Sequence, residues 1–521
     1  MPVIDHEPCD VAVMGAGAAG ALFAARLAQA GKRVVVLEAG NPWQLTDLVS
    51  SQIWARRLKW GGAPVLPGGS HPFGHNMSTG SGFGGAALHH YAGWPRLHEA
   101  DFSLRSDHGY GRDWPFGYAT LRPHYDRIQA EMGISGDAAA EVWRPPGAPY
   151  PMEPLMSFRQ ADVLKRGFDK LGIRVSPAPM AVNSVEYDGR PACIYDAWCD
   201  AGCPIGALAN PLVKHLPAAH KAGATLTAHA AVTRIETDAR GHAIGLRWVD
   251  AQDRAHVQRA RTIILAGAGV QNARLLLASA FGNRSGQVGR WFNAHSIASA
   301  NGLFAEETEC HMGLSSGTLM SQDGYDKRRP PGSARPFGSY TWSLAPAVKA
   351  SDLLGIAMTR PDLFGAPLDA FIRRAAKHFG QLVAICESIP VEASRVELAA
   401  TRDRFGVPLA RIVNTPHPDT LKLWDHVSAE GLRILAAAGA TDAWASTQRT
   451  FAHVSGGTIM GDDPATSVTD SFGRLHEAAN VVAAGGGLFP SIGAVSPTFT
   501  VLALADRTAG DMIAHWDTYA A

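Results

Sequence analysis

The residues in this chain best suited to chemistry are three glycines, one acid and three cysteines. Gly15-Ala16-Gly17-Ala18-Ala19-Gly20 has the spacing of a turn that holds a dinucleotide. The first glycine permits the tight turn, the second lets a pyrophosphate approach the backbone, and the third lets helix and strand pack closely. Glu38 follows the first glycine by 38 − 15 = 23 positions, where a carboxylate can accept hydrogen bonds from a ribose diol. Further on, five and then three residues separate Cys193, Cys199 and Cys203, so one loop can wrap three thiolates around a compact centre. Zinc normally takes a fourth Cys or His, and the nearest downstream histidine, His215, falls in an expected helix. Three thiolates suit a three-iron, four-sulfide (3Fe-4S) cluster, whose cube lacks one corner, and Cys203-Pro204 resembles the end of a bacterial ferredoxin run. Zinc, free thiols and a disulfide stay open as alternatives. Cys9, Cys310 and Cys386 are isolated and are expected to be buried and inert.

These residues need a scaffold, and the flanking sequence supplies one. Val11 to Met14 is an apolar run suited to a strand buried on both faces. Ala21 to Ala30 carries apolar residues at helical spacing, Gly31-Lys32 ends that helix, and Arg33 to Leu37 makes a second buried strand. The helix N-terminus offers free N–H groups and a positive dipole end to phosphates. A run of small residues from Asn76 to His90, including Gly84 and Gly85, suits a backbone lying against a flat ligand. Leu121 to Met132 reads as a helix. Ala224 to Glu236 and Ala243 to Asp250 alternate as antiparallel strands, and Arg261 to Ala266 is a buried strand leading to a helix over Asn272 to Ala280. From about Asn301 to Ala440 the α/β alternation is lost. Beyond Asn480 the pattern of strand, glycine loop (with Gly486) and helix returns.

The expected fold is therefore α/β. A discontinuous Rossmann-like dinucleotide domain occupies 1–300 and 441–521, with a cysteine loop at about 185–207. An α+β substrate domain on an antiparallel sheet occupies 301–440. Composition narrows the function. Lys+Arg and Asp+Glu are both 47, so no basic field points to nucleic acid. The 55 glycines and 33 prolines accompany 46% hydrophobic residues, which fits a loop-rich enzyme rather than disorder. The long uncharged stretch Val481 to Ala505 is broken by Gly485-Gly486-Gly487, Pro490 and Pro497, arguing against a membrane span. Met1 to Asp10 is too short and polar to read as a signal peptide.

Read end to end, the chain resembles the glucose–methanol–choline (GMC) family of FAD-dependent oxidoreductases. The resemblance rests on Gly15, Gly17, Gly20 and Glu38, on Gly82-Phe83-Gly84-Gly85-Ala86-Ala87-Leu88-His89, and on Asp113-Trp114-Pro115. It continues through Ser285-Gly286-Gln287-Val288-Gly289-Arg290 and His453-Val454-Ser455-Gly456-Gly457-Thr458. It ends in Leu488-Phe489-Pro490-Ser491-Ile492-Gly493-Ala494-Val495-Ser496-Pro497-Thr498.

The resemblance implies FAD as cofactor and His453 as the base that takes a hydroxyl proton, a task suited to neutral imidazole. It places Ser496 where the family carries a second polar partner, His or Asn. Serine reaches less far, so either the substrate sits closer, a residue from elsewhere substitutes, or Ser496 is only the N-cap of a helix over Thr498 to Ala509, with Pro497 in its first position. It puts His89 where some relatives attach flavin covalently, and Val232 where the backbone meets the adenine. The cysteine loop resembles that of the catalytic subunits of bacterial glucose, gluconate and glucoside dehydrogenase complexes. That implies electron flow from FAD through a 3Fe-4S cluster to a cytochrome c, and a small chaperone-like partner carrying the export signal. The expected location is the periplasm, reached with that partner and touching membrane only through partners, with a cytoplasmic enzyme as the alternative. The expected substrate is a sugar, glycoside or polyol. An oxygen-using oxidase and a non-redox lyase that keeps FAD structurally are the competing functions.

Overall fold

Val11, Ala12 and Val13 are wholly shielded from solvent because the strand Ile4–Met14 runs through the middle of a sheet covered on both faces. The computed structural model describes residues 3–73, 79–327 and 335–520. Asn76, Met77 and Ser78 of the small-residue run lie outside the described residues. Ile4–Met14 pairs in parallel with Val34–Leu37 on one side and Ala255–Leu265 on the other. Ala478–Ala483 then joins Ala255–Leu265, also in parallel. A strand from near the C-terminus therefore completes the sheet begun at the N-terminus, which is the expected discontinuity. All-parallel neighbours with helices on both faces require near-continuous apolar runs, and Val481, Val482, Ile263, Ile264 and Leu265 provide them at 0% exposure.

The stretch expected as one strand over Ala224 to Glu236 is two. Thr225–Thr227 adds in parallel to Val34–Leu37. After a break in which His229 takes φ +53°, Ala231–Thr237 starts an antiparallel meander through Ala243–Val249 into Ala255–Leu265. A left-handed residue turns the chain out of one edge and into the next element.

The second sheet is antiparallel, as expected, and is built around Asn293–Leu303, Phe379–Cys386 and Tyr340–Leu344. It begins before 301 and takes in Thr450–Ser455, so it reaches past 301–440 at both ends. Alternate residues divide its faces. Ala298, Ala300, Trp342, Leu344, Leu382 and Ala384 form a core with the helices Arg159–Lys170 and Pro418–Ala438. The opposite parity, His295, Ile297, Ser299 and Asn301, faces the other way. Trp342, Tyr340 and Phe337 are at most 5% exposed, so they pack the core rather than stack on a sugar. Cys9, Cys310 and Cys386 are buried, as expected.

Candidate active site

The glycine turn is built as its spacing requires. Gly15 has φ +97°, and a Cβ there would stand 2.7 Å from the Ala266 carbonyl oxygen. A Cβ on Gly20 would come within 2.0 Å of the Gly15 oxygen, so helix and turn touch backbone to backbone. Gly17 differs: a Cβ there meets nothing nearer than 3.9 Å. Protein packing therefore does not demand glycine at this position, but a ligand pressed against the backbone would. Gly17 is also the N-cap of the helix Ala18–Gln29, with no side-chain cap and no acid in the first turn, so the helix amides stay free for an anion.

The second glycine loop lies directly on this turn. Gly84 donates its N–H to the Ala16 carbonyl at 3.0 Å, and a Cβ on Gly85 would sit 3.0 Å from Gly17 Cα. Glu38 locks the two together: its carboxylate accepts N–H groups from Ala16, Gly40 and Gly82 at 2.8–2.9 Å. The structure therefore gives Glu38 the task of joining loops, beyond the ribose contact expected of it. His229 and Ala230 bond back to Gly40 and Glu38, which brings the start of the Val232 strand beside the same corner. His89 is buried, its Nε2 has no hydrogen-bond partner, and burial, with Lys59 nearby, pushes its pKa down to about 4.

His453 lies in a β-bulge. Ala452 pairs with His295 and Ser455 with Asn293, so His453 and Val454 together face Ala294 alone across the ladder. His453 takes φ +61°, a left-handed conformation that costs free energy and needs support. Support comes from the next residues: Gly456 and Thr458 donate to the carbonyls of Gly486 and Gly487 at 3.1 Å. The ring keeps some accessible surface, yet protein surrounds it, and burial lowers its pKa to about 4. It is therefore neutral and able to accept a proton throughout the neutral range.

The residue beside it is His295, which the sequence reading did not single out. The two Nδ1 atoms are 3.1 Å apart, and His295 Nε2 donates to the Gly493 carbonyl at 3.0 Å. His295 is 0% exposed. No hydrogen bond joins Ser496 to His453, so of the options left open, a residue from elsewhere is what the structure brings beside the base. Nor is Ser496 the cap. The helix runs Thr498–Ala514, its N-cap is Pro497, and no side chain caps it. Proline still suits the position because it has no N–H to satisfy.

Cys199 is buried, and Cys193 and Cys203 are partly buried in the same apolar cluster with Ala92, Met180, Leu208 and Leu314. All three thiols are free. The loop is strained, with φ near +60° at Tyr195, Ala197 and Cys203. Tyr195 N–H donates to Cys193 Sγ at 3.3 Å and Leu208 N–H to Cys203 Sγ at 3.4 Å. Burial pushes the Cys193 thiol up to about 11 and the Cys199 thiol up to about 12. Among the described residues no three His, Cys, Asp or Glu side chains converge as ligands of one metal ion.

Comparison with known proteins fits this picture. Family models described as GMC oxidoreductase match residues 74–297 and 390–505, and one described as an FAD binding domain matches 10–56. Paromamine 6'-oxidase of Streptomyces fradiae is 30% identical over 98% of this chain and 93% of its own. The chain belongs to the GMC oxidoreductase family. The large subunit of fructose dehydrogenase from Gluconobacter japonicus is 28% identical over 96% of this GMC oxidoreductase and 97% of its own length. The solved structure of pyridoxine 4-oxidase from Mesorbium loti has the same fold, with TM-score 0.69 at 17% identity, covering 97% of this chain and 99% of that one. The GMC oxidoreductase binds FAD, and the open face of Gly17, the uncapped helix amides and the orphaned His89 Nε2 fit such a ligand.

Proposed function

We propose that this oxidoreductase is a dehydrogenase that converts a hydroxyl of a sugar, glycoside or polyol to a carbonyl and passes the electrons out one at a time. The single observation that carries the catalytic half is His453, a neutral imidazole held in a strained bulge beside the C-terminal glycine loop. Gly17, Gly84, Gly85 and the first-helix amides would hold the FAD phosphates, with Val232 near the adenine and Gly486, Pro497 and Thr498 near the ring. Bound FAD supplies an acceptor for the hydride leaving the carbinol carbon. The protein's part is to take the hydroxyl proton at His453, so that the carbon–oxygen double bond forms as the hydride departs.

A cleft of about 350 Å³ opens along the same face of the second sheet. It is lined by Ser299, Asn301 and Gln381 on the sheet and by Lys59, Asp200 and Lys349 opposite. Ser299 is four residues from His295, roughly 13 Å along the strand. Gln381 Nε2 donates to Asn301 Oδ1 at 2.9 Å, and Lys59 to Asp200 at 2.8 Å. Hydroxyl-rich substrates match such a lining of paired donors and acceptors, and the relatives named for fructose and paromamine support a polyhydroxylated substrate.

For the electron path, Cys193, Cys199 and Cys203 would hold a 3Fe-4S cluster, which supplies one-electron transfer. Three reduced thiols on one apolar floor, two of them receiving amide N–H groups, support that reading. The fructose dehydrogenase relative is named as a large subunit, which supports a smaller partner subunit; export with that partner, a cytochrome c acceptor and a periplasmic site complete the proposal. No helix among the described residues is long and apolar enough to cross a membrane. The paromamine relative favours a second reading, an oxidase that returns electrons to oxygen. Anaerobically prepared protein should turn over a sugar with a one-electron dye, form little peroxide in air, and give an iron–sulfur EPR signal. Rapid peroxide formation with no iron signal would select the oxidase.

A further inference from the structure

We propose that His295 is a positioning residue that sets the tautomer of His453, so that the lone pair of the base lies on Nε2. The inference rests on His453 being the base and follows from two hydrogen bonds. A carbonyl oxygen can only accept, so the Gly493 carbonyl, 3.0 Å from His295 Nε2, requires a proton on that nitrogen. A neutral imidazole has one N–H, so His295 Nδ1 is left as an acceptor. The atom facing it at 3.1 Å is His453 Nδ1, which must then carry the proton of the second ring. His453 Nε2 is left with a lone pair and no proton, the form a base needs. One backbone carbonyl thus orients two imidazoles in series.

Neutrality of His295 is secured by its surroundings. It is fully buried, and burial together with the neighbouring His453 holds its pKa well below the usual range. The nearby cation is Lys327, itself bonded to Asp101 and Glu387 at 2.7–2.8 Å, and it too opposes a charge on His295. Among the described residues no acid lies within hydrogen-bonding distance of the His295 ring, whose nitrogens bond Gly493 and His453 with the Ile492 carbonyl also alongside.

The carbonyl that starts the series is itself held. Ala494 N–H donates to Tyr325 Oη at 3.1 Å, and Tyr325 donates to Asp101 at 2.7 Å. Ser491 Oγ donates to the Asp101 carbonyl at 2.7 Å and accepts from Trp114 Nε1 at 2.8 Å. Gly493 has φ +55°, and a Cβ there would fall 2.6 Å from Tyr325 Oη and 2.7 Å from Asp101 Oδ2. The segment between the C-terminal glycine loop and the last helix is therefore pinned on both sides of residue 493.

Four substitutions at one position test the proposal in the FAD-loaded enzyme. Asn in His295→Asn places an amide oxygen where Nδ1 stood, so the acceptor for His453 survives. In His295→Gln and His295→Ala it does not. The rate constant of anaerobic flavin reduction should fall about tenfold or more in the Gln and Ala variants, at little change in KM. The Asn variant should stay within severalfold of wild type, since its amide oxygen still accepts from His453 Nδ1–H. His295→Asp should move the acid limb of the pH–rate profile up by about one unit or more, because a carboxylate stabilises the imidazolium of His453. Residual flavin content and melting temperature identify any variant that fails to fold. A readout independent of turnover is the ¹⁵N spectrum of histidine-labelled protein, with the His453 signal assigned by its loss in His453→Ala. The proposal expects His453 protonated on Nδ1 in wild type. Protonation on Nε2, or equal rates and an unmoved acid limb across all four variants, would overturn it. Failure of wild type to reduce its flavin with any alcohol would instead overturn the functional reading, leaving the NMR result to stand or fall alone.

Discussion

The base corner and the cysteine loop are both strained, and they resolve the strain differently. His453 at φ +61° and Gly493 at φ +55° sit in a corner where backbone and rings find partners inside the protein: His295, the Gly493 carbonyl and the amides tied to Gly486 and Gly487. Tyr195, Ala197 and Cys203 at φ near +60° sit in a loop whose thiols meet amide N–H groups and, at Cys199, Ser315, while burial favours their protonated forms. The first region is complete as folded polypeptide. The second holds its three thiols in one apolar cluster, and a group that bound them as thiolates would offset the strain of the loop. On the proposed reading His453 is already placed to take a proton, whereas electron exit would depend on what the cysteine loop holds.

The comparison breaks most sharply at His453. His453→Ala should lower the rate of flavin reduction by about 10²–10⁴-fold with flavin content intact; a loss of less than tenfold would remove it from the chemistry. Cys199→Ser comes next and should act oppositely. Iron content and turnover with a one-electron acceptor should disappear, while a single anaerobic reduction of the flavin by substrate proceeds at the wild-type rate. Loss of both together would merge the two regions into one structural unit.

A smaller effect concerns stability and pH. Burial lowers His89, His90 and His453 to about 4 from an ordinary 6.5. Between these values the unfolded chain binds more protons than the folded one, so stability rises with pH across that window and is lost as pH falls from about 6.5 toward 4. Melting temperature measured from pH 7.5 to 4.5 should decline below 6.5, and less steeply in His453→Ala. The smallest effect belongs to the cleft. Asn301→Ala removes one hydrogen-bonding group, worth about 0.5–1.5 kcal/mol, and should raise KM by roughly two- to tenfold with kcat unchanged. An unaltered KM would remove this cleft from the substrate's path.

What could be read from the chain follows how local each feature is. The turn at Gly15, Gly17 and Gly20 was legible because its logic is confined to one βαβ unit, and the structure adds the distances that make Gly15 and Gly20 obligatory. The return of a C-terminal strand to the first sheet was legible from its apolar run. Glu38 was read as a ribose ligand, and its bonds to Gly82 and Gly40 were hidden because those amides arrive through loops without periodicity. His295 was invisible for a different reason, the distance in sequence to its partner. It lies 158 positions from its partner, among 21 histidines, and the only hint was its place five residues after the Ser285 to Arg290 motif. Ser496 was misread as the N-cap because a capping pattern does not fix the first helical residue, and here Pro497 is the cap of a helix that starts at Thr498.

The most direct measurement of the central claim is anaerobic rapid mixing of the FAD-loaded enzyme with a panel of sugars and polyols. The visible flavin band would be followed as a function of pH. The account predicts that at least one polyhydroxylated compound bleaches the band, at a rate level through the neutral range and falling as pH drops toward the value of about 4 at which His453 takes up a proton. A band that no alcohol bleaches, or a rate that climbs as the solution is acidified, would contradict it.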